Sequence, residues 1–274
     1  MSLPVSTAAP PPSQPSHVVL YLDWLTEVVP WLTGKLRKVT RDDGPVQLAP
    51  PWKPGDHWAL VGPTGEGKST LAVALLLLRK YVLALDPKGE DETLAASGFE
   101  RVFGLPPKKK LPREVQKDLD EGRPVHLIVG GAATSAAEDV KLQQLMEEAI
   151  IYARHSGGWT LYVDEFELLS SQRMFNLGRF IDRMLITARR SKSSVITAFQ
   201  AAAWVSKHAT RQATFVVLFP TRDRNMIKAV AESMGRPWQA MCALVDELPP
   251  FHCVIIPKNH RMPMVITKAP KLGK

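Results

Sequence analysis

Apolar residues along this chain fall into two alternating patterns. Short apolar runs, HWALVG, YVLALD, VHLIVGG, WTLYVDEF, SSVITAFQ and TFVVLF, lack the polar interruptions of a half-exposed strand. They predict strands buried on both faces. Between them the apolar positions take helical spacing. LAVALLLLRK follows the first run, and Leu142, Leu145, Met146, Ala149, Ile150 and Ala153 line one face further on. Leu177, Phe180, Ile181, Met184, Leu185 and Ala188 repeat that spacing, and Asp223 to Met234 reads as one more helix. Residues 98–122 hold Pro106, Pro107, Pro112 and three consecutive lysines, and are expected to be irregular. After Pro249, HCVIIP and MVIT are strand candidates. Strand–helix alternation of this kind predicts an α/β fold: a mainly parallel, doubly wound sheet flanked by helices, with its ligand site at the carboxyl ends of the strands.

The segment before His57 behaves differently. Residues 1–16 are rich in Pro, Ser and Ala and are expected to form a disordered tail. Val18, Leu22, Leu25, Val29, Leu32 and Leu36 form a helical stripe that Pro30 would kink. This amphipathic extension (17–56) either packs on the protein or a neighbouring subunit, or makes a peripheral membrane contact through residues 17–36. Asp23, Glu27 and Pro30 interrupt it, so it does not read as a transmembrane span. The expected division is thus a tail (1–16), a helical extension (17–56), a nucleotide-binding domain (57–248) and a basic C-terminal strand and tail (249–274).

Composition sharpens this. Of 274 residues, 45% are hydrophobic and 23% charged, which excludes a disordered chain and a membrane bundle. Lys and Arg number 35 against 27 acids, a net charge of +8 that suits a polyanionic partner. Cys242 and Cys253 have no CxxC spacing, so neither a zinc ribbon nor a disulfide scaffold is expected, and a reducing compartment is the default.

The sharpest chemistry lies in Gly62-Pro63-Thr64-Gly65-Glu66-Gly67-Lys68-Ser69-Thr70, which fits G-x-x-x-x-G-K-[ST] between a predicted strand and a predicted helix. Glycines let successive backbone N–H groups converge on phosphate oxygens, and the helix adds its positive end. Lys68 would neutralise the β- and γ-oxygens of ATP, and the Ser69 hydroxyl would ligate Mg²⁺. A metal-holding acid on a neighbouring strand is then required. Asp164, closing LYVDEF, suits that role, and Glu165 beside it would be the base that activates water. Gln200 ends the strand SSVITAFQ, where it can sense the γ-phosphate or the attacking water. The paired acids disfavour a small-molecule kinase.

With these elements in place the chain resembles the HerA/FtsK superfamily of ring-forming, DNA-pumping ATPases over roughly 57–234. LALDPKGED resembles the Asp-Pro-Lys segment after the second strand of those motors, YVDEFELL their metal-binding strand, and GRFIDRMLITARRSKSSVITAFQ their helix, arginine, strand and terminal Gln. Ala201-Ala202-Ala203 follow Gln200 where Arg-Pro-Ser is common, and Lys192-Ser193 replace a common glycine. The resemblance implies a RecA-like ASCE P-loop NTPase and an arginine supplied to the neighbouring subunit's nucleotide, with Arg224, Arg222 and Arg189 as candidates. It also implies a homo-oligomeric ring, hexamer or pentamer. The chain is most similar to the compact viral members that package double-stranded DNA into preformed capsids. A capsid portal or vertex protein would then be a partner. The expected location is the cytoplasm, the host's if the protein is viral, or a packaging vertex of the virion. Alternative readings are a plasmid-transfer or chromosome-handling motor, or a nucleotide-gated assembly or secretion ATPase that does not pump DNA. A translocating ring grips phosphates through Lys and Arg. Lys108, Lys109 and Lys110 in the Pro-bounded loop, and Lys207 and Arg211 after the sensor strand, are the candidate DNA contacts; each also reads as an ordinary solvated charge.

Overall fold

A computed structural model describes residues 52–89, 91–200, 207–262 and 264–270. The tail at 1–16 and the amphipathic stripe at 17–36 lie outside the described residues. Nine strands form one sheet in the order β3-β4-β2-β5-β6-β1-β7-β8-β9. They are β1 (Trp58–Val61), β2 (Tyr81–Leu85), β3 (Glu100–Val102), β4 (Val125–Val129), β5 (Trp159–Val163), β6 (Ser194–Phe199), β7 (Phe215–Leu218), β8 (His252–Pro257) and β9 (Val265–Lys268). The pairings from β3 across to β7 are parallel, and β8 and β9 add antiparallel pairs at one side.

The unbroken apolar runs are explained by burial on both faces. Alternate residues of one strand enter different cores. Leu83 and Leu85 of β2 join Leu161 and Val163 under α4 (Ala136–Ser156) and α6 (Gly178–Thr187). Val82 and Ala84 join Leu60 and Tyr162 under α1 (Lys68–Leu76) and α2 (Glu92–Ala96). α8 (Arg224–Ser233) and α9 (Trp238–Asp246) extend the α4 and α6 layer over β7 and β8. Among the described residues no helix is long and apolar enough to cross a membrane.

Three sequence expectations change. Residues 98–122 are not irregular throughout: they hold β3 and α3 (Arg113–Asp120), whose Val115 is buried. A three-residue strand carries too few positions for a period to show. Helix α1 stops at Leu76, before the apolar run ends, and leaves Leu77 and Leu78 exposed. Arg79 then turns inward, where its guanidinium donates to Thr160 Oγ1 (3.1 Å), Ser194 Oγ (3.2 Å) and Trp52 O (3.4 Å) and lies 4.5 Å from the Trp52 ring centroid. The short helix α9, absent from the sequence reading, follows Pro237 and packs on α8.

His57 pins the amino edge of the sheet. Its Nδ1 accepts from Val195 N (3.1 Å) and its Nε2 lies 3.2 Å from Leu185 O, which fixes the tautomer with the proton on Nε2. Burial above all pushes its pKa down from 6.5 to about 4, helped by the Arg189 charge and opposed by the Leu185 carbonyl and by Asp56. Between these values the unfolded chain binds a proton that the folded chain refuses. Stability from this group is therefore complete above pH 6.5 and falls as pH drops towards about 4. The total loss is about 3 kcal/mol. Urea unfolding of wild type and His57→Gln between pH 7 and pH 4 should show a shallower pH slope in the variant; identical slopes would contradict this account.

Candidate active site

The loop from Gly62 to Gly67 joins β1 to α1 at the carboxyl edge of the sheet. Its curl needs residues without Cβ at Gly65 (φ 88°) and Gly67 (φ 94°). A Cβ on Gly67 would also lie 2.7 Å from Ala269 Cβ, just after β9. Inside the curl Lys68 Nζ donates to Pro63 O (2.6 Å), and Thr70 Oγ1 donates to Gly67 O (2.8 Å). Burial lowers the Lys68 pKa, and the charges of Asp164, Glu167, Glu66 and Glu165 work against that shift. A buried ammonium ringed by carboxylates remains a strong attractor for phosphate oxygens.

Asp164 and Glu165 leave the end of β5, but β5 does not adjoin β1. Strand β6 lies between them, paired to β5 on one side and β1 on the other. The expected neighbouring acid strand is thus one strand further away, and the gap is spanned by a side chain. Gln200, just past β6, accepts from Thr64 Oγ1 of the loop at 2.9 Å and donates through Nε2 to Glu165 Oε1 at 3.1 Å. Its backbone N–H donates to Glu167 Oε1 (2.6 Å), so α5 (Phe166–Ser170) holds the strand tip in place. Glu165 Oε1 also accepts from Lys88 Nζ (2.5 Å). Lys88 stands on a turn after β2 built by buried Asp86, which accepts from Gly89 N (2.8 Å) and pairs with Arg101 (2.9 Å).

Burial pushes the Asp164 carboxyl up to about 6, with the charges of Asp91 and Glu165 adding to it and the nearby Tyr162 hydroxyl and the Glu165 backbone N–H opposing it. Tyr162, two residues earlier, points its buried hydroxyl toward Asp164 and Ser69. These oxygens suit a small hard cation. Mg²⁺ at nucleotide sites takes one or two protein oxygens and completes its shell with phosphates and water. Ser69 and Asp164 therefore fit Mg²⁺, and a cation there would relieve the repulsion among Asp91, Asp164 and Glu165.

The other predicted residues disperse. Arg222 is exposed after β7, beside β1, and forms no hydrogen bond or ion pair among the described residues. Arg224 is committed to Asp246 (2.8 Å), linking α8 to α9. Arg189 lies at the amino edge against Gly55, where a Cβ would come within 3.2 Å of its Cα, and so stands at the opposite edge of the sheet from the P-loop. Lys108, Lys109 and Lys110 are exposed in the connection between edge strand β3, itself five strand positions from β1, and α3. Lys108 pairs with Glu148 (2.7 Å), and Lys109 Nζ donates to Phe103 O (3.3 Å). Lys109 and Lys110 line a groove of about 740 Å³ with Arg113 and Lys117 of α3. Lys207 opens α7 (Lys207–Gln212), and exposed Arg211 lies near the amino end of β7, where its carbonyl accepts from Lys258. These lysines and Arg211 do not form one cluster. Sequence reasoning missed Lys88, Asp91, Tyr162 and Glu167 as site residues. Only Glu167, three positions after Asp164 in Asp-Glu-Phe-Glu, and Lys88, after Asp86-Pro87 at a strand end, carried a readable signal.

Gly67→Ala tests the loop. Left-handed backbone together with the Ala269 contact should cost about 1–3 kcal/mol. It should lower the thermal midpoint and weaken ATP binding together in parallel melting and calorimetric titrations; a variant unchanged in both would refute the close approach.

No protein-family profile matches the chain, and no curated protein matches it. Solved structures do. The DNA-packaging ATPase B204 of Sulfolobus turreted icosahedral virus superposes with a TM-score of 0.56 at 20% identity, covering 80% of this chain and 100% of B204. The genome packaging NTPase B204 of Sulfolobus turreted icosahedral virus 2, in complex with AMPPCP, gives a TM-score of 0.53 at 19% identity over 80% of this chain and 100% of that one. The cytoplasmic domain of the Thermomonospora curvata type VII secretion ATPase EccC gives 0.50 at 18% identity, over 79% of this chain and 25% of that one. With its P-loop after β1 and its acid pair after β5, the chain has the RecA-like P-loop ATPase fold of these structures.

Proposed function

We propose that this protein is a Mg²⁺-dependent ATP hydrolase that moves double-stranded DNA, packaging a viral genome into a preformed capsid. The observation that carries the hydrolase reading is the Gln200 bridge from Thr64 of the loop to Glu165. It joins the place where a terminal phosphate would sit to the carboxylate that would take a proton from water. Lys68 and the loop N–H groups hold the β- and γ-phosphates, Ser69 and Asp164 hold the cation, and Glu165 orients and deprotonates the attacking water. When bound, Mg²⁺ would supply charge neutralisation to the phosphates as negative charge develops. Gln200 touches both sides and is the sensor.

Several observations support the DNA-packaging part. The B204 structures are matched over their whole length, whereas EccC is matched over a quarter of its length. The chain carries a net charge of +8. Lys109, Lys110, Arg113 and Lys117 line one groove, where they outnumber the acids Asp120 and Glu121 and leave a positive excess for phosphates. Assembly into a ring, hexamer or pentamer, would bring an arginine to the neighbour's nucleotide. Arg222 is the favoured donor, because Arg224 is spent on Asp246. A capsid vertex protein is the expected docking partner, in the host cytoplasm or on the virion. The likeness to a secretion ATPase keeps one other reading, an assembly or secretion ATPase indifferent to DNA.

Lys68→Ala should lower ATP turnover by at least about a hundredfold. Glu165→Gln should bind ATP normally but turn over about 10²–10⁴-fold more slowly. Steady-state hydrolysis with calorimetric ATP titration checks both; wild-type turnover in either variant removes that residue from its role. Double-stranded DNA should stimulate wild-type hydrolysis, with the stimulation falling steeply as salt rises. Hydrolysis unaffected by DNA at low salt would favour the secretion reading.

A further inference from the structure

Tyr162 is the residue of β5 that the proposed hydrolysis leaves unused. Its ring belongs to the core under α1, beside Leu60, Leu71 and Ile196. Its paired neighbours are Ala84 on β2 and Ile196 on β6. The side chain is fully buried, and its hydroxyl forms no hydrogen bond of ordinary geometry. A buried hydroxyl without a partner costs about 1–3 kcal/mol, which a phenylalanine would avoid. Asp164 stands two positions further along the chain, on the same side of the strand, and Ser69 lies in the first turn of α1, the helix that covers this side; these are the polar groups nearest the hydroxyl in its electrostatic surroundings. These are the two residues whose oxygens fit the cation, and they come from different elements.

We infer that the Tyr162 hydroxyl is a positioning group of the metal site, holding the Ser69 hydroxyl and the Asp164 carboxylate in register for a divalent cation. The inference rests on the nucleotide-hydrolase reading and deepens it. Hydrogen bonds from behind orient metal ligands and tune their basicity. A phenol is rigid, stays neutral and both donates and accepts, so it can donate to a carboxylate oxygen and accept from a serine hydroxyl. Between P-loop and acid strand it does beneath the loop what Gln200 does above it. Phenylalanine would fill the same core volume without linking the two ligands.

Tyr162→Phe separates this role from packing. ATP affinity is measured by calorimetry in EDTA and across a Mg²⁺ series, together with the thermal midpoint of the metal-free protein. The expected result has three parts. Affinity in EDTA matches wild type, the metal-free midpoint is unchanged or higher because an unpaired hydroxyl is gone, and the Mg²⁺ concentration giving half of the affinity gain rises about tenfold. An unchanged Mg²⁺ midpoint would overturn the inference alone. So would equal losses with and without Mg²⁺, which would mark Tyr162 as a packing residue of the loop. Wild-type protein that binds no adenine nucleotide at any Mg²⁺ concentration would overturn the hydrolase reading and this inference together.

Discussion

The arrangement of the site depends on β6 lying between the strand that feeds the phosphate loop and the strand that ends in Asp164 and Glu165. Adjacent strands are about 4.8 Å apart, so the intervening strand separates loop and acids by roughly 10 Å. That gap is too wide for direct contact between a loop threonine and a carboxylate, and it leaves room for a phosphate and a water. The same strand supplies the side chain that spans it. Gln200 is an amide, with an acceptor for Thr64 and a donor for Glu165, and only a group with both ends can serve the two sides at once. Burial of β6 on both faces anchors the base of the bridge, because every residue from Ser194 to Phe199 is buried and Gln200 follows directly.

Electrostatics then works on a frame that is already fixed. Lys68 is buried, yet it is surrounded by Asp164, Glu167, Glu66 and Glu165, so the cost of taking an ammonium out of water is offset by carboxylates. The carboxylates crowd one another, and Asp164 is pushed towards neutrality. Neither charge is in its most comfortable state alone. A triphosphate with its cation would satisfy both, giving Lys68 an anion and Asp164 a metal. Burial of these groups thus favours a charged ligand over bulk water.

Legibility in the sequence followed locality. The phosphate loop was readable because its glycines, Lys68 and Ser69 lie within a few residues and act through one turn. The acid pair and Gln200 were readable because a polar residue closing a buried strand has one place to go, the carboxyl edge. Strand order was not readable: nothing in SSVITAFQ says that it pairs with both β1 and β5. Arg189 shows the cost of this, since five residues before β6 in sequence means the amino edge in space, away from the loop it follows by more than a hundred positions. Tyr162 was hidden for another reason. A tyrosine in an apolar strand reads as core, and its ring is core; only the position of Ser69 on another element gives the hydroxyl a meaning. The lysines at 108–110 were visible as charge, but Glu148 and Phe103 O as their partners were not.

Glu165 carries the last link from structure to chemistry. Its φ of 48° places it in the left-handed region that a residue with a side chain seldom adopts, at a cost of about 1–3 kcal/mol. What holds it there is identifiable. Phe166, the next residue, is buried with its ring 4.9 Å from that of Phe199, and the carboxylate is gripped by Lys88 and Gln200 through one oxygen. The aromatic anchor is deep in the core and insensitive to ligands. The polar grip is not, because Thr64 and Gln200 are the side chains that a terminal phosphate and its water would engage. In the proposed reaction, a change at the phosphate therefore alters the hold on Glu165, and the strained backbone supplies the tendency to move when that hold loosens. Lys88 is half-exposed on the same edge, so the second half of the grip faces outward. The Glu165 carboxylate is thus tied through Gln200 to the phosphate loop on one side and through Lys88 to the protein surface on the other.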